Sequence, residues 1–102
     1  MAGVGKLLKQ AQKMQKAMEA VQAELENLII EGTAAGGAVK ATVNGQGTLK
    51  GIKIDPEFLK EDVESIETSI LAAVENAVVK AKAQSQEEMN KVTGNFSIPG
   101  LF

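Results

Sequence analysis

Between Gly5 and Met18 the chain reads GKLLKQAQKMQKAM, with four lysines and no acid, in a protein of 102 residues whose formal net charge is −2. Lys6, Lys9, Lys13 and Lys16 follow one another at steps of three, four and three, which lines them along one face of a helix. Gln10, Gln12 and Gln15 lie among them and supply uncharged groups that also meet phosphate oxygens. Cations near a helix N-terminus oppose the backbone dipole, at a cost of roughly a few tenths of a kcal/mol each. A helix shaped by stability alone would carry Glu or Asp there. The chemistry such a strip offers is the binding of a polyanion. The alternatives are a solvated face that keeps the protein soluble and a helix lying on a membrane surface. The membrane reading is the weaker one, because the Leu and Met side of the same helix is needed for packing.

Little else in the chain suggests chemistry. There is no His and no Cys, so the usual general bases, nucleophiles, zinc ligands and disulfides are missing. Carboxylates cluster at Asp55 with Glu57, at Glu61 with Asp62 and Glu64, and at Glu87 with Glu88. Helix caps and solvated helix faces account for them more simply than metal or acid–base chemistry. The glycine-rich pieces GTAAGG and NGQG lack the lysine and hydroxyl of a phosphate-binding loop, and neither lies between a strand and a helix start. No enzymatic activity and no cofactor are expected. All 11 basic residues are lysine, which removes the commonest bidentate contact to guanine, the one made by arginine. With three Phe and no Tyr or Trp, stacking on single-stranded bases is poorly served.

Composition sets the class. Leu, Ile, Val and Phe number 27, enough to exclude a disordered chain, and 14 alanines make the core thin. A thin core in a single small domain calls for burial against a second subunit. No apolar run approaches the roughly 18 residues of a membrane span, and the N-terminus lacks a signal-peptide core. The expectation is a soluble cytoplasmic protein.

The elements that position the lysines follow from periodicity. Val4, Leu7, Ala11, Met14, Met18, Val21, Leu25 and Leu28 alternate steps of three and four, a heptad seam that predicts a helix from about Gly5 to Glu26. Three strands are then expected in Asn27 to Ala34, Ala38 to Gly45 and Thr48 to Asp55. In the second, Val39, Ala41 and Val43 alternate with Lys40, Thr42 and Asn44. Asn44-Gly45 reads as a hairpin turn with Gly45 at positive φ. Leu49 has the opposite parity to Ile52 and Ile54, and a bulge at Gly51 would bring all three to one face. Asp55 caps a short turn opened by Pro56. Asp62 caps a long helix from Val63 to about Thr93, apolar along Val63, Ile66, Ile70, Val74, Ala77, Val78 and Ala81, with Gly94 as its stop. The tail NFSIPGLF is apolar without period and is expected to fold back or to order only in part. The fold class is α+β: long helix, three-stranded antiparallel sheet, long helix. Val39, Val43, Ile52, Ile54, Ile66 and Ile70 are the positions expected to be buried in the dimer.

LLKQAQKMQKAM, Glu31-Gly32 with Gly36-Gly37, VNGQGTLKGIKIDPEFL and the terminal PGLF together resemble the YbaB/EbfC family of bacterial nucleoid-associated proteins, over nearly the whole chain. The resemblance implies a tweezer-like homodimer with long helices projecting as arms from a central body. It also implies double-stranded DNA binding with little sequence preference, a place in the nucleoid, an influence on gene expression, and no enzymatic activity. Carried over by position, contacts on the projecting helices fall on Lys6, Lys9, Lys13 and Lys16, with Lys80, Lys82 and Lys91 as further candidates. Residues 1–26 then form one arm, 27–81 the dimerisation body, and 82–102 the second arm and tail of a single domain. The rival reading is an adaptor that docks proteins of the DNA replication or recombination machinery through its helices or its Phe-containing tail. Salt dependence separates the two, since lysine–phosphate binding collapses with added salt and apolar docking does not.

Overall fold

The computed structural model describes residues 2–95. The heptad seam folds as one helix, α1 (Ala2–Glu26). Its end is tied down locally: the N–H groups of Asn27 and Leu28 donate to the carbonyls of Glu24 and Leu25, and the Asn27 side chain donates to that of Ala23. Those bonds delay the first strand to β1 (Ile30–Ala34), three residues later than the sequence suggested. β2 (Val39–Val43) and β3 (Leu49–Ile54) complete an antiparallel meander in the order β1-β2-β3. A 3-10 turn, Pro56–Lys60, is capped by the Asp55 side chain, which accepts from the Glu57 N–H. Then α2 runs from Val63 to Asn95. At its start the Asp62 carboxylate accepts from the Ser65 hydroxyl, which holds its carboxyl below the usual range. α2 takes in Gly94, the expected stop, and runs one residue beyond it to Asn95, the last residue described. The rest of the apolar tail, with its expected fold-back, lies outside the described residues.

The sheet register explains where the core sits. Val39 faces Ile54, Ala41 faces Ile52 and Val43 faces Leu49, with a register shift between Thr42 and Val43 that leaves Lys50 unpaired. The bulge therefore falls beside Gly51, at Lys50, and brings Leu49, Ile52 and Ile54 to one face. α2 lies mainly across β1 and β2. Ile30, Val39, Ala41, Val43, Ala73, Ala77 and Ala81 form the buried cluster between them. Helix and strand touch directly at Gly32, where a Cβ would collide with the backbone of Ala73 and Ala77. Two α2 side chains reach past this contact to the backbone of β1: Asn76 Oδ1 accepts from the Thr33 N–H, and Lys80 Nζ donates to the Glu31 carbonyl, each at 3.1 Å. Edge groups left unpaired invite other strands, and these two bonds cover part of that edge. Of the expected core positions, Val39 and Val43 are fully buried, a gain of roughly 1.5–3 kcal/mol apiece. Ile54, Ile66 and Ile70 are half-buried in the single chain. Ile52 is 39% exposed, because α2 does not extend over β3.

The β2–β3 connection departs from the two-residue turn. It is a loop of residues 44–48 organised by Asn44, which is 2% exposed. Asn44 Oδ1 accepts from the N–H groups of Gln46 and Thr48 at 2.9 and 3.0 Å, and the Asn44 N–H donates to the Thr48 carbonyl. The left-handed residue is Gly47, with φ 83°, and not Gly45. Gly45 is required for another reason. Its N–H donates to the Leu25 carbonyl at 2.7 Å, and a Cβ there would stand 2.7 Å from that oxygen and 2.9 Å from Leu25 Cα. Gln46 Nε2 adds a bond to the Gln22 carbonyl at 3.2 Å. The loop is thus the seat of the C-terminal end of α1.

From that seat α1 runs along the distal part of α2. Burial on α1 is confined to Met14, Ala17, Met18, Val21 and Leu25, matched on α2 by Ser85, Glu88, Met89 and Val92. The seam expected from Val4 onward is therefore covered only from Met14; Val4 and Leu7 are 54% and 49% exposed. The result is a long molecule, 71 × 21 × 16 Å.

Glycine substitutions separate the two roles in the loop. Gly47→Ala places its Cβ in open space and should cost about 1 kcal/mol for the left-handed backbone. Gly45→Ala must push the loop away from α1, at about 1–3 kcal/mol for the overpacking, and it breaks the bond to Leu25 as well. Melting followed by circular dichroism should show the larger drop for Gly45→Ala. The reverse order would mean that the loop does not hold α1.

Candidate nucleic-acid interface

α1 is anchored through one side and displays its charges on another. At 100° per residue, Lys6, Lys9, Lys13 and Lys16 centre roughly 120° round the helix from Met14, Met18, Val21 and Leu25. All four lysines are exposed. They span about 15 Å of helix axis. The first turn of α1 holds no acid. Among the described residues the ion pairs are Lys60–Glu57 and Lys91–Glu88, so none involves the strip. Its field is unopposed along the outer half of the helix, where little else of the described protein covers it.

The other three candidates divide. Lys91 stands on the part of α2 that accompanies α1, but its Nζ lies 3.2 Å from the Glu88 carboxylate. Lys80 and Lys82 lie beside the sheet. Lys80 is bonded to the Glu31 carbonyl and so serves the β1 edge. Lys82 has no bonded partner among the described residues. It opens on a depression of about 330 Å³ between loop and helix, lined also by Gly45, Gln46, Gly47, Val78, Ser85 and Gln86. Its lining is more apolar than polar, brings Lys82 beside Gln46, Ser85 and Gln86, and contains no carboxylate, so it offers no acid–base pair.

Four carboxylates of the clusters serve structure. Asp55 caps the 3-10 turn, Asp62 bonds Ser65, Glu57 pairs with Lys60 and Glu88 with Lys91. Among the described residues no group of three or more acids is placed to hold a metal ion. Sequence reasoning missed Gln22, Asn44 and Gln46 as the residues that aim α1. The signal was NGQG itself, whose Asn can organise a loop and whose Gln stands between two glycines; read as a hairpin turn, it gives no link to α1.

Comparison with known proteins bears on kinship and fold. A model of the YbaB/EbfC DNA-binding family matches residues 1–96. The chain is 49% identical over 100 residues to a nucleoid-associated protein of Pelotomaculum thermopropionicum, covering 97% of this chain and 95% of that one. It is 47% identical over 97 residues to a nucleoid-associated protein of Clostridium kluyveri, covering 94% and 85%. In fold it is similar to the crystal structure of uncharacterized protein HP0035 from Helicobacter pylori, with a TM-score of 0.64 at 21% identity over 76% of this chain and 90% of that one.

The division between Lys80 and Lys82 is measurable as stability. Lys80→Ala removes a charged donor from the β1 edge and should destabilise by about 1 kcal/mol. Lys82→Ala breaks no bond and should leave the melting temperature unchanged. Equal effects in thermal denaturation would place the two lysines in the same role.

Proposed function

The chain belongs to the YbaB/EbfC DNA-binding family, and from that premise we propose that it binds double-stranded DNA in the nucleoid as a homodimer, through lysine–phosphate contacts made by its projecting helices. The observation that carries this reading is the exposed strip Lys6, Lys9, Lys13 and Lys16, free of acidic partners among the described residues and set on a helix whose other side is anchored. Such an arrangement tolerates unfavourable dipole interactions that phosphates would relieve. Without arginine, base-edge readout is poor, so preference among sequences comes from DNA shape and deformability. Binding by two pairs of arms alters DNA conformation, and through it gene expression.

The dimer is supported by an apolar trough. Asn76 and Lys80 place one flank of α2 toward the β1 edge. The opposite flank, with Leu71, Val74 and Val78, therefore overlooks the uncovered side of β3. Leu71 is 60% exposed, Val78 38%, Leu49 48% and Ile52 39%. Exposed apolar side chains gathered on one side in this way suit an interface. A second copy filling it buries Ile52, Ile54, Ile66 and Ile70 further, makes residues 27–81 the body, and leaves α1 and the part of α2 beyond Ala81 as arms. Sedimentation equilibrium at micromolar concentration should give the dimer mass; a well-folded monomer would remove this part of the proposal.

The DNA contact is tested by charge reversal. Removing one lysine–phosphate interaction should lower the slope of log affinity against log salt by about 0.9. Lys9→Glu combined with Lys13→Glu should abolish binding at the arms, for duplexes of every sequence alike, since phosphate contacts carry no sequence information. The fold should persist, because both side chains project away from the seam. A folded dimer that keeps normal affinity in a mobility-shift titration would reduce the strip to a solvated face. The trough and arms would then serve an adaptor for replication or recombination proteins.

A further inference from the structure

We propose that the outer face of the sheet is a second DNA-contact surface, centred on Lys40 and Lys53; the inference rests on the DNA-binding reading above. The register places Lys40 of β2 directly opposite Lys53 of β3, on the side of the sheet away from α2. Like charges directly opposed across two strands are destabilising, and among the described residues neither lysine has an ion-pair partner. The fold keeps an unfavourable pair that any neutral residue would relieve.

The surroundings fit a phosphate backbone. Thr33 stands opposite Lys40 on the other side, and Thr42 is next along β2, so two hydroxyl donors flank the pair. A shallow depression of about 270 Å³ adjoins both lysines, lined also by Gly37, Ala38, Ile54, Asp55 and Pro56. Two acids stand near. The Asp55 carboxylate is engaged as a cap by the Glu57 N–H at 3.0 Å. Glu31 lies opposite Thr42, diagonal to Lys40. The strand positions on this face, Glu31, Thr33, Lys40, Thr42 and Lys53, include no apolar side chain. A protein partner would need an apolar centre to dock on; a duplex backbone needs only charge and hydrogen-bond donors.

Position makes this surface additional to the α1 strip. Lys40 and Lys53 lie at the end of the strands remote from the 44–48 loop, whereas α1 departs from that loop. The long axis of 71 Å matches about 20 base pairs at 3.4 Å each. A duplex must therefore be long to meet both surfaces.

The experiment compares unaltered protein, Lys40→Gln with Lys53→Gln, and Lys9→Gln with Lys13→Gln, on duplexes of about 12 and 30 base pairs over a salt series. Neutralising the two sheet lysines should lower the salt slope on the long duplex by about 1.8 per protomer, and leave the short duplex, held by α1, unchanged. The melting temperature of the sheet variant should stay level or rise as the repulsion is relieved. Lys40→Thr with Lys53→Thr, which keeps strand-favouring residues, should give the same slope. An unchanged slope on the long duplex, with the Lys9 and Lys13 dependence intact, overturns the sheet surface alone. Absence of salt-dependent binding by the unaltered protein overturns the DNA reading, and this surface with it.

Discussion

The contact of Gly32 with the backbone of Ala73 and Ala77 sets the rest of the molecule. With no side chain between strand and helix, α2 can sit on β1 at backbone distance, and Ala41 and Ala81 keep the neighbouring layer equally shallow. Close approach gives many dispersion contacts from small groups. It also fixes α2 laterally, over β1 and β2, so that β3 keeps an apolar face without cover. The surface that seeks a second chain and the tightness of the first chain's core have the same origin. A core of alanine is economical within one chain and incomplete without another.

Length does the remaining work. α2 has 33 residues, and only its first part rests on the sheet. The distal part becomes a platform for α1, which the 44–48 loop delivers to it through Gly45 and Gln46. The lysines are placed where packing ends. Their mutual repulsion at steps of three and four costs a few tenths of a kcal/mol per pair, and the buried stretch from Met14 to Leu25 offsets it. Charge and anchorage thus share one helix on different faces: Lys6, Lys9 and Lys13 precede the packed stretch and Lys16 lies within it.

Much of this could be read from the chain before the structure. Heptad spacing identified α1, alternation identified β2, and the parity break at Leu49 called for a bulge, because each is a local pattern with one geometric solution. What escaped depended on distant partners. Gly45 looked like a turn glycine, since Asn-Gly is a strong local signal. Its real constraint is the Leu25 backbone, 20 positions earlier in the sequence. Lys40 and Lys53 lie 13 positions apart on different strands, and no local pattern joins them. Only the register, shifted by the bulge at Lys50, shows them as a pair. The strip on α1 was legible because a helix brings its own neighbours together; the sheet pair was not, because pairing across strands is decided by the loop between them.

The length of the molecule has a hydrodynamic consequence. A compact chain of 102 residues has a radius of gyration of about 13 Å, whereas this one has 19.7 Å. By the same scaling that radius belongs to a compact chain roughly three times as long. Friction follows shape as well as mass, so a single copy would leave a gel-filtration column early, among globular proteins much heavier than itself. Elution volume would report an assembly where none had formed, whereas small-angle scattering would recognise a rod.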